Sequence, residues 1–429
     1  MGTVMAKTKY QIIVEHLKNA IECNELKTGS KLPSVRDLSR TFHCSKDTAQ
    51  KALTELRYQQ YIYAKPKSGY YVLEQNQNHE DIELQLSQDR YQAYEDFRLC
   101  VNETLIGRDN YLFNYYSQQE GLEELRESVR QLLAEQTIYA NLENIVLTSG
   151  TQQALYILSQ IDFPNQKNQI LVEQPTYHRM NQLLTNQNLA YRTIERNCEG
   201  IDLEKLEEIF RTGHIKFFYT IPRFHYPLGH SYHRKEKEAI LKLANRYHVF
   251  IVEDDYLSDL DDKQELTFHY LDTSQHVIYI KSFSTSLFPA LRITSLILPP
   301  SIRESFLQYK SIMDYDSNLI MQKSLSLYIN NGMYGKNRLD RLKKMREQQK
   351  EIQNDYAGLG LELKVHYLPN ALLLELDDSI QLPALKHSNI PLDFFEQAYL
   401  SSCPYQFAKL DYEIAKKYLP QIQLYIKKD

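Results

Sequence analysis

Two sets of side chains in this 429-residue chain could do chemistry, and they lie far apart in sequence. The first is Ser45, Lys46, Thr48 and Gln50, with Ser34 and Arg36 upstream and Lys65, Lys67 and Gly69 downstream. Lys46 can contact a phosphate or a guanine edge, Gln50 has the shape to read adenine, and Arg36 suits a backbone contact. The second set consists of polar clusters, each directly behind an apolar run: Thr148-Ser149-Gly150-Thr151-Gln152-Gln153, Pro175-Thr176-Tyr177, Glu253-Asp254-Asp255-Tyr256 and Lys281-Ser282-Phe283-Ser284-Thr285. A strand, a small polar turn and a helix start together turn backbone N–H groups toward an anion, often phosphate.

The elements that must hold the first set are short. Tyr10, Ile13, Val14, Leu17 and Ile21 fall on one helical face. Gly29 and Pro33 punctuate a connection. Ser34 and Asp37 have capping-box spacing ahead of a second helix that buries Leu38 and Phe42. Ser45 can cap a third helix, buried through Ala49, Ala52, Leu53 and Leu56. A hairpin follows, Tyr61 to Ala64 and Tyr70 to Leu73, turning at Lys65-Pro66-Lys67-Ser68-Gly69. Three helices and a basic hairpin make a winged helix-turn-helix, an α+β domain whose third helix enters the major groove while Lys65 and Lys67 reach phosphates or the minor groove. The competing reading is a small helical domain with solvated lysines.

Charge divides along the same line. Residues 1–73 hold twelve Lys/Arg against six Asp/Glu, a balance of +6; the whole chain is −5, so the remainder carries −11. That is the asymmetry phosphate binding by one part requires, although chance can also produce it. The five cysteines are scattered and suit a reducing cytoplasm better than a disulfide framework or a zinc site. No run approaches the apolar length of a membrane span, and the first nine residues lack the apolar core of a signal peptide.

Residues 74–105 begin polar and acidic, as a flexible linker would, with a stretch from Tyr91 to Val101 that can be helical. From residue 106 to 429 the pattern is α/β. Strands are expected at Ile145–Leu147, Gln169–Glu173, Phe217–Thr220, Val249–Val252 and Val277–Ile280. Buried strands whose C-terminal ends carry polar clusters point to a mostly parallel sheet with a site at that edge. A smaller subdomain is expected over about 300–429, with a long charged helix from Lys336 to Asp355, a strand at Ala371–Leu376 and a final helix from Tyr412 to Ile426.

Residues 8–73 resemble the GntR family of bacterial transcription regulators, through Gly29-Ser30-Lys31-Leu32-Pro33-Ser34-Val35-Arg36-Asp37-Leu38, Ser45-Lys46-Asp47-Thr48 and Pro66-Lys67-Ser68-Gly69-Tyr70-Tyr71-Val72. Lys46 stands where an Arg is commoner. It keeps the charge and loses the bidentate fork. From Tyr116 to Arg292 the order of clusters resembles the fold-type I aminotransferases that bind pyridoxal 5′-phosphate (PLP). That resemblance implies that Gly150, Thr151 and Gln152 cradle the phosphate and that Tyr177 stacks on the ring. It also implies that Asp254 faces the ring nitrogen, that Tyr256 reaches the ring hydroxyl, and that Ser282, Ser284 and Arg292 complete the phosphate site. Tyr116 would arrive from the partner of a homodimer. Together the two parts resemble the MocR-type regulators.

The departures fall at the positions that do chemistry. Where the aminotransferase pattern has the lysine that bonds covalently to the cofactor, this chain has Thr285, and a hydroxyl cannot replace that amine. Lys281 should point elsewhere from inside its strand. A polar pair of the MocR-type pattern becomes Phe224 and His225, and the Arg that grips a substrate carboxylate is missing near Pro404 to Ala408. Arg179 could take that place or be a surface ion pair, and His225 could be a ligand contact or a packed core histidine. The leading expectation is a DNA-binding regulator whose body dimerises and senses an effector, phosphorylated or amino-acid-like, with PLP held non-covalently at most. The alternatives are an active PLP-dependent aminotransferase carrying a DNA module, and a body kept for structure alone.

Overall fold

The computed structural model describes residues 8–426 except 24, 59–60, 66–67, 74–87, 107–118, 262–264, 315 and 360–362. The chain divides into two compact units, Met1–Gln85 and Leu86–Asp429.

In the first unit, helices α1 (Lys9–Glu22), α2 (Val35–Thr41) and α3 (Lys46–Tyr58) precede the antiparallel strands β1 (Ile62–Lys65) and β2 (Gly69–Val72). The expected faces are the buried ones. Ile13, Leu17 and Ile21 of α1 pack with Leu38 of α2, with Ala49, Ala52, Leu53 and Leu56 of α3, and with Ile62 and Val72 of the hairpin. Each large apolar side chain so buried contributes roughly 1.5–3 kcal/mol. Ser34 closes its capping box with Asp37, accepting from the Asp37 amide at 3.2 Å and donating to its carboxylate at 2.6 Å.

The second unit is built on an eight-stranded sheet in the order β3-β10-β9-β8-β7-β4-β5-β6. Its strands are β3 (Ile145–Thr148), β4 (Gln169–Gln174), β5 (Tyr191–Asn197), β6 (Gly200–Ile201), β7 (Ile215–Thr220), β8 (Phe250–Asp254), β9 (Val277–Ser282) and β10 (Thr294–Ile297). The run β9-β8-β7-β4-β5 is parallel, whereas β10 is antiparallel to both β9 and β3. The five strands read from sequence are all present. Strands β5, β6 and β10 are not among those expected. In β5, Tyr191-Arg192-Thr193-Ile194-Glu195-Arg196-Asn197 buries only Ile194 and Arg196, so its composition reads as polar loop. Four-residue β10 follows too closely on the Pro289–Leu291 turn to stand out.

The helical stretch expected from Tyr91 to Val101 is present and longer, Gln88–Thr104. It buries Ala93, Phe97 and Cys100, and Phe97 packs edge-on against Phe288 and Tyr328 at 5.2 and 5.7 Å. The C-terminal part carries a three-stranded antiparallel sheet, β11 (Val365–Tyr367), β12 (Ala371–Glu375) and β13 (Phe407–Asp411), beside the helices Met333–Leu359 and Tyr412–Ile422. The last helix ends sooner than expected, passing into the short turn Gln423–Tyr425. No helix among the described residues is long and apolar enough to cross a membrane.

Candidate functional sites

Much of the first polar set is engaged within the fold. The Ser45 hydroxyl caps α3, accepting from the Thr48 amide at 3.1 Å, and it lies 2.9 Å from the Thr48 hydroxyl. The Gln50 amide donates to Tyr70 Oη on β2 at 2.7 Å. Arg36, Lys46 and Lys65 are exposed, and Lys67 lies outside the described residues. Gly69 adopts a φ of +123°, a conformation open to glycine, and a side chain there would press on Lys31 Cε at 3.3 Å.

The second set converges. A cavity of about 300 Å³ at the C-terminal ends of β8 and β9 is lined by Thr151, Gln152, Tyr177, Asp254, Tyr256, Ser282, Ser284, Thr285 and Arg292. His178, Ile221 and Tyr226 complete the lining, and sequence reading did not nominate them. No lining residue among those described is a lysine.

Strand alternation decides which neighbour faces the cavity. Asp254 accepts from Tyr219 Oη on adjacent β7 at 2.8 Å through Oδ2. Its Oδ1 is buried and has no hydrogen-bond partner. Burial pushes the Asp254 pKa up to about 7, opposed by the Tyr219 hydrogen bond. Asp255 is turned away and engages Arg223, which also reaches Asp261 at 2.7 Å, and it accepts from Tyr279 Oη at 2.7 Å. Likewise Ser282 lines the cavity while Lys281 is fully buried elsewhere, its Nζ donating to Ser258 Oγ at 2.7 Å and Asp259 Oδ1 at 2.8 Å. Thr285 donates to the Tyr256 carbonyl at 2.7 Å, and Tyr256 Oη to the Phe224 carbonyl at 3.2 Å.

The other end of the cavity suits an anion. Gly150 precedes the helix Thr151–Gln160 with φ +95°. A Cβ on Gly150 would lie 2.5 Å from Arg292 Nη2, so glycine lets the guanidinium approach the helix start. Helical N–H groups there have no intrahelical acceptor. The Ser284 hydroxyl is buried and unpartnered. Burial raises the pKa of Tyr177 between the two ends.

Besides Gly150, three nominated residues do not join this lining. Arg179 is exposed and donates to Gln182 on its own helix at 3.1 Å. His225 is buried with Nε2 3.3 Å from Glu173 Oε2, and burial lowers its pKa to about 4. It borders a neighbouring cavity that shares Tyr226, Tyr256, Ser284 and Thr285 with the first. Tyr116 lies outside the described residues. Beneath the site is a polar network that sequence could not pair: Glu173 accepts from Arg196 at 2.7 Å, Thr220 Oγ1 at 2.8 Å and Tyr232 Oη at 2.6 Å, all buried.

These units define a winged helix-turn-helix protein with a fold-type I aminotransferase body. Residues 9–72 match the bacterial regulatory proteins of the gntR family, and residues 73–359 match aminotransferase class I and II. The chain is 38% identical over 351 residues to YcxD of Bacillus subtilis (strain 168), an uncharacterized HTH-type transcriptional regulator, covering 80% of this chain and 78% of that one. YdfD of the same organism, also an uncharacterized HTH-type transcriptional regulator, is 26% identical, with 82% and 80% covered. Among solved structures, Pyrococcus horikoshii kynurenine aminotransferase superposes with a TM-score of 0.68 at 23% identity, over 77% of this chain and 86% of that one. The chain belongs to the GntR family of regulators, in its MocR-type branch that joins the DNA-binding domain to a class I and II aminotransferase domain. It is a DNA-binding transcription regulator.

Proposed function

We propose that this regulator works in the cytoplasm as a homodimer, that Lys46, Arg36, Lys65 and Lys67 hold operator phosphates and base edges, and that the body senses a small effector without catalysing transamination. Ser34, Ser45, Thr48, Gln50 and Gly69 shape and orient that DNA surface. The effector is PLP or a related phosphorylated compound, held non-covalently. Thr151, Gln152, Ser282, Ser284 and Arg292, with Gly150 making room, would hold its phosphate. Tyr177 would pack on the ring, Asp254 Oδ1 would accept from the ring nitrogen, and Tyr256 would lie by the ring hydroxyl. Tyr116 would reach in from the partner subunit. Bound PLP would supply an electron-withdrawing ring.

One observation carries this reading. Two buried polar atoms, Asp254 Oδ1 and Ser284 Oγ, are left without partners at one cavity, whose described lining includes Thr285 and no lysine. Unpaired buried acceptors are costly in a finished core and serve a ligand that pairs them. An effector alters regulation only if it binds two arrangements of the dimer with different affinity. The test is footprinting on the DNA upstream of the protein's own coding sequence, with and without PLP. A protected sequence whose affinity changes with PLP supports the reading. Binding indifferent to sequence, or indifferent to PLP and its relatives, overturns it.

A further inference from the structure

Outside the cavity, the body brings together a sulfur, a nitrogen and an oxygen ligand from three distant stretches of chain. Cys198 sits in the tight turn between β5 and β6, at the edge of the large sheet. His366 on β11 and Glu375 on β12 are diagonal neighbours across the small sheet, with Nε2 and Oε1 2.6 Å apart. The ligand atoms of all three lie within 4.8 Å of one another, and each residue is partly buried. Cys198 is a free thiol packed against the cluster of Leu373, Phe395 and Ala398.

We propose that Cys198, His366 and Glu375 form a site for a divalent transition metal of the zinc type, tying the large sheet to the small subdomain. Thiolate, imidazole and carboxylate are the donor types zinc takes, and three protein ligands leave a fourth position for water. Binding forms S–metal, N–metal and O–metal bonds and releases the Cys198 thiol proton to solvent. The negative thiolate and carboxylate balance a dication. In a tetrahedral site the ligand atoms stand roughly 3.3–3.7 Å apart. His366 and Glu375 therefore exchange their direct hydrogen bond for bonds to the metal, and the sulfur closes in by side-chain rotation. Lys364 Nζ, 3.5 Å from Glu375 Oε2, holds the carboxylate's other oxygen and orients it. A site of this kind was not visible in sequence, because about 170 residues separate the cysteine from the other two ligands.

The consequence is mechanical. The neighbouring cavity, about 450 Å³, lies between Phe224 to Gly229 of the large part and Leu368, Asn370, Phe395 and Lys409 of the small one. A metal bridging the two parts limits how far that cavity opens.

The other mixed cluster, His230, His233 and Glu236, serves as the control. Arg196 lies against it, with Nη2 3.4 Å from His230 Nδ1.

The test is titration of the untagged, metal-free full-length protein with Co²⁺ as the spectroscopic probe and Zn²⁺ as the competitor. The expected result is one ion per chain, with a thiolate-to-cobalt charge-transfer band and intense tetrahedral visible bands. Cys198→Ser abolishes the charge-transfer band, His366→Gln and Glu375→Gln each weaken binding by about tenfold or more, and the paired change His230→Gln/His233→Gln leaves it intact. Circular dichroism establishes that each variant is folded, and His366→Gln provides the decision if Cys198→Ser is not. Absence of the band at equimolar Co²⁺, its persistence in Cys198→Ser, or its loss only in the His230/His233 variant overturns the proposal.

Discussion

The two polar surfaces of this chain treat their hydrogen-bonding groups in opposite ways. On the N-terminal unit, the hydroxyls and amide around the third helix are satisfied among themselves: Ser34 with Asp37, Ser45 with Thr48, Gln50 with Tyr70. What is left outward is positive charge. In the body, the groups around the cavity include a carboxylate oxygen and a hydroxyl that are buried and unpaired. The first is a surface that keeps its shape without a partner and attracts a polyanion through charge. The second is a concave site in which the partner must supply specific hydrogen bonds.

That contrast can be broken most forcefully where the body does pair its buried charges. Arg196→Ala leaves the Glu173 carboxylate buried without its cation. We expect a loss of about 3–5 kcal/mol in urea unfolding of the body. A loss below about 1 kcal/mol would mean that the body tolerates unpaired charge anywhere, and the orphaned atoms at the cavity would lose their meaning.

A smaller effect separates the surfaces by their partners. Lys46→Ala should weaken DNA binding at every sequence tested and reduce the dependence of log affinity on log salt by about 1. Gln50→Ala should leave the salt slope unchanged. Equal slopes for the parent and Lys46→Ala would remove Lys46 from the interface.

Next comes the cavity carboxylate. Burial raises the Asp254 pKa from 3.8 to about 7, so the folded protein holds a proton that the unfolded chain has released across that window. The group's contribution to stability is therefore fully present below pH 3.8 and is lost as pH rises to about 7. Glu173 acts in the opposite sense, its pKa held down at about 2 through the charge of Arg196 against the penalty of burial. The difference between the parent and Asp254→Asn isolates the first effect: relative to the parent, the variant should gain stability as pH rises from about 4 to 7. A difference flat with pH would show that the carboxylate is not desolvated as described.

The smallest change is expected at a cap. Ser34→Ala should cost about 1 kcal/mol in thermal unfolding of the N-terminal unit, with the salt slope of DNA binding unaltered. A changed slope would make Ser34 a DNA contact as well as a cap.

Legibility from sequence followed burial. Ala49, Ala52, Leu53 and Leu56 repeat at helical spacing, and all four are fully buried. Runs such as Phe217 to Thr220 read as strands from sequence, and the strand Ile215–Thr220 is buried throughout. The cavity's polar residues were found because they cluster directly after such runs. What escaped was set by partners distant in the chain. Tyr219 reads as one more apolar residue of β7, and only the fold brings its hydroxyl to Asp254. The Arg196–Glu173 pair joins two strands with nothing in either sequence to announce it. Arg179 was nominated for its position after Tyr177, yet the start of its own helix turns it to Gln182.

Non-covalent binding of PLP in the cavity, as proposed above, is what would separate this body most directly from an enzyme. Titration of the purified full-length protein with PLP, followed by borohydride reduction and peptide mass mapping, measures this. Saturable binding, lost in Asp254→Ala and Arg292→Ala, with every lysine unmodified after reduction, is the predicted result. A stoichiometric reduced adduct on any one lysine would contradict it and return the body to the enzymes whose fold it shares.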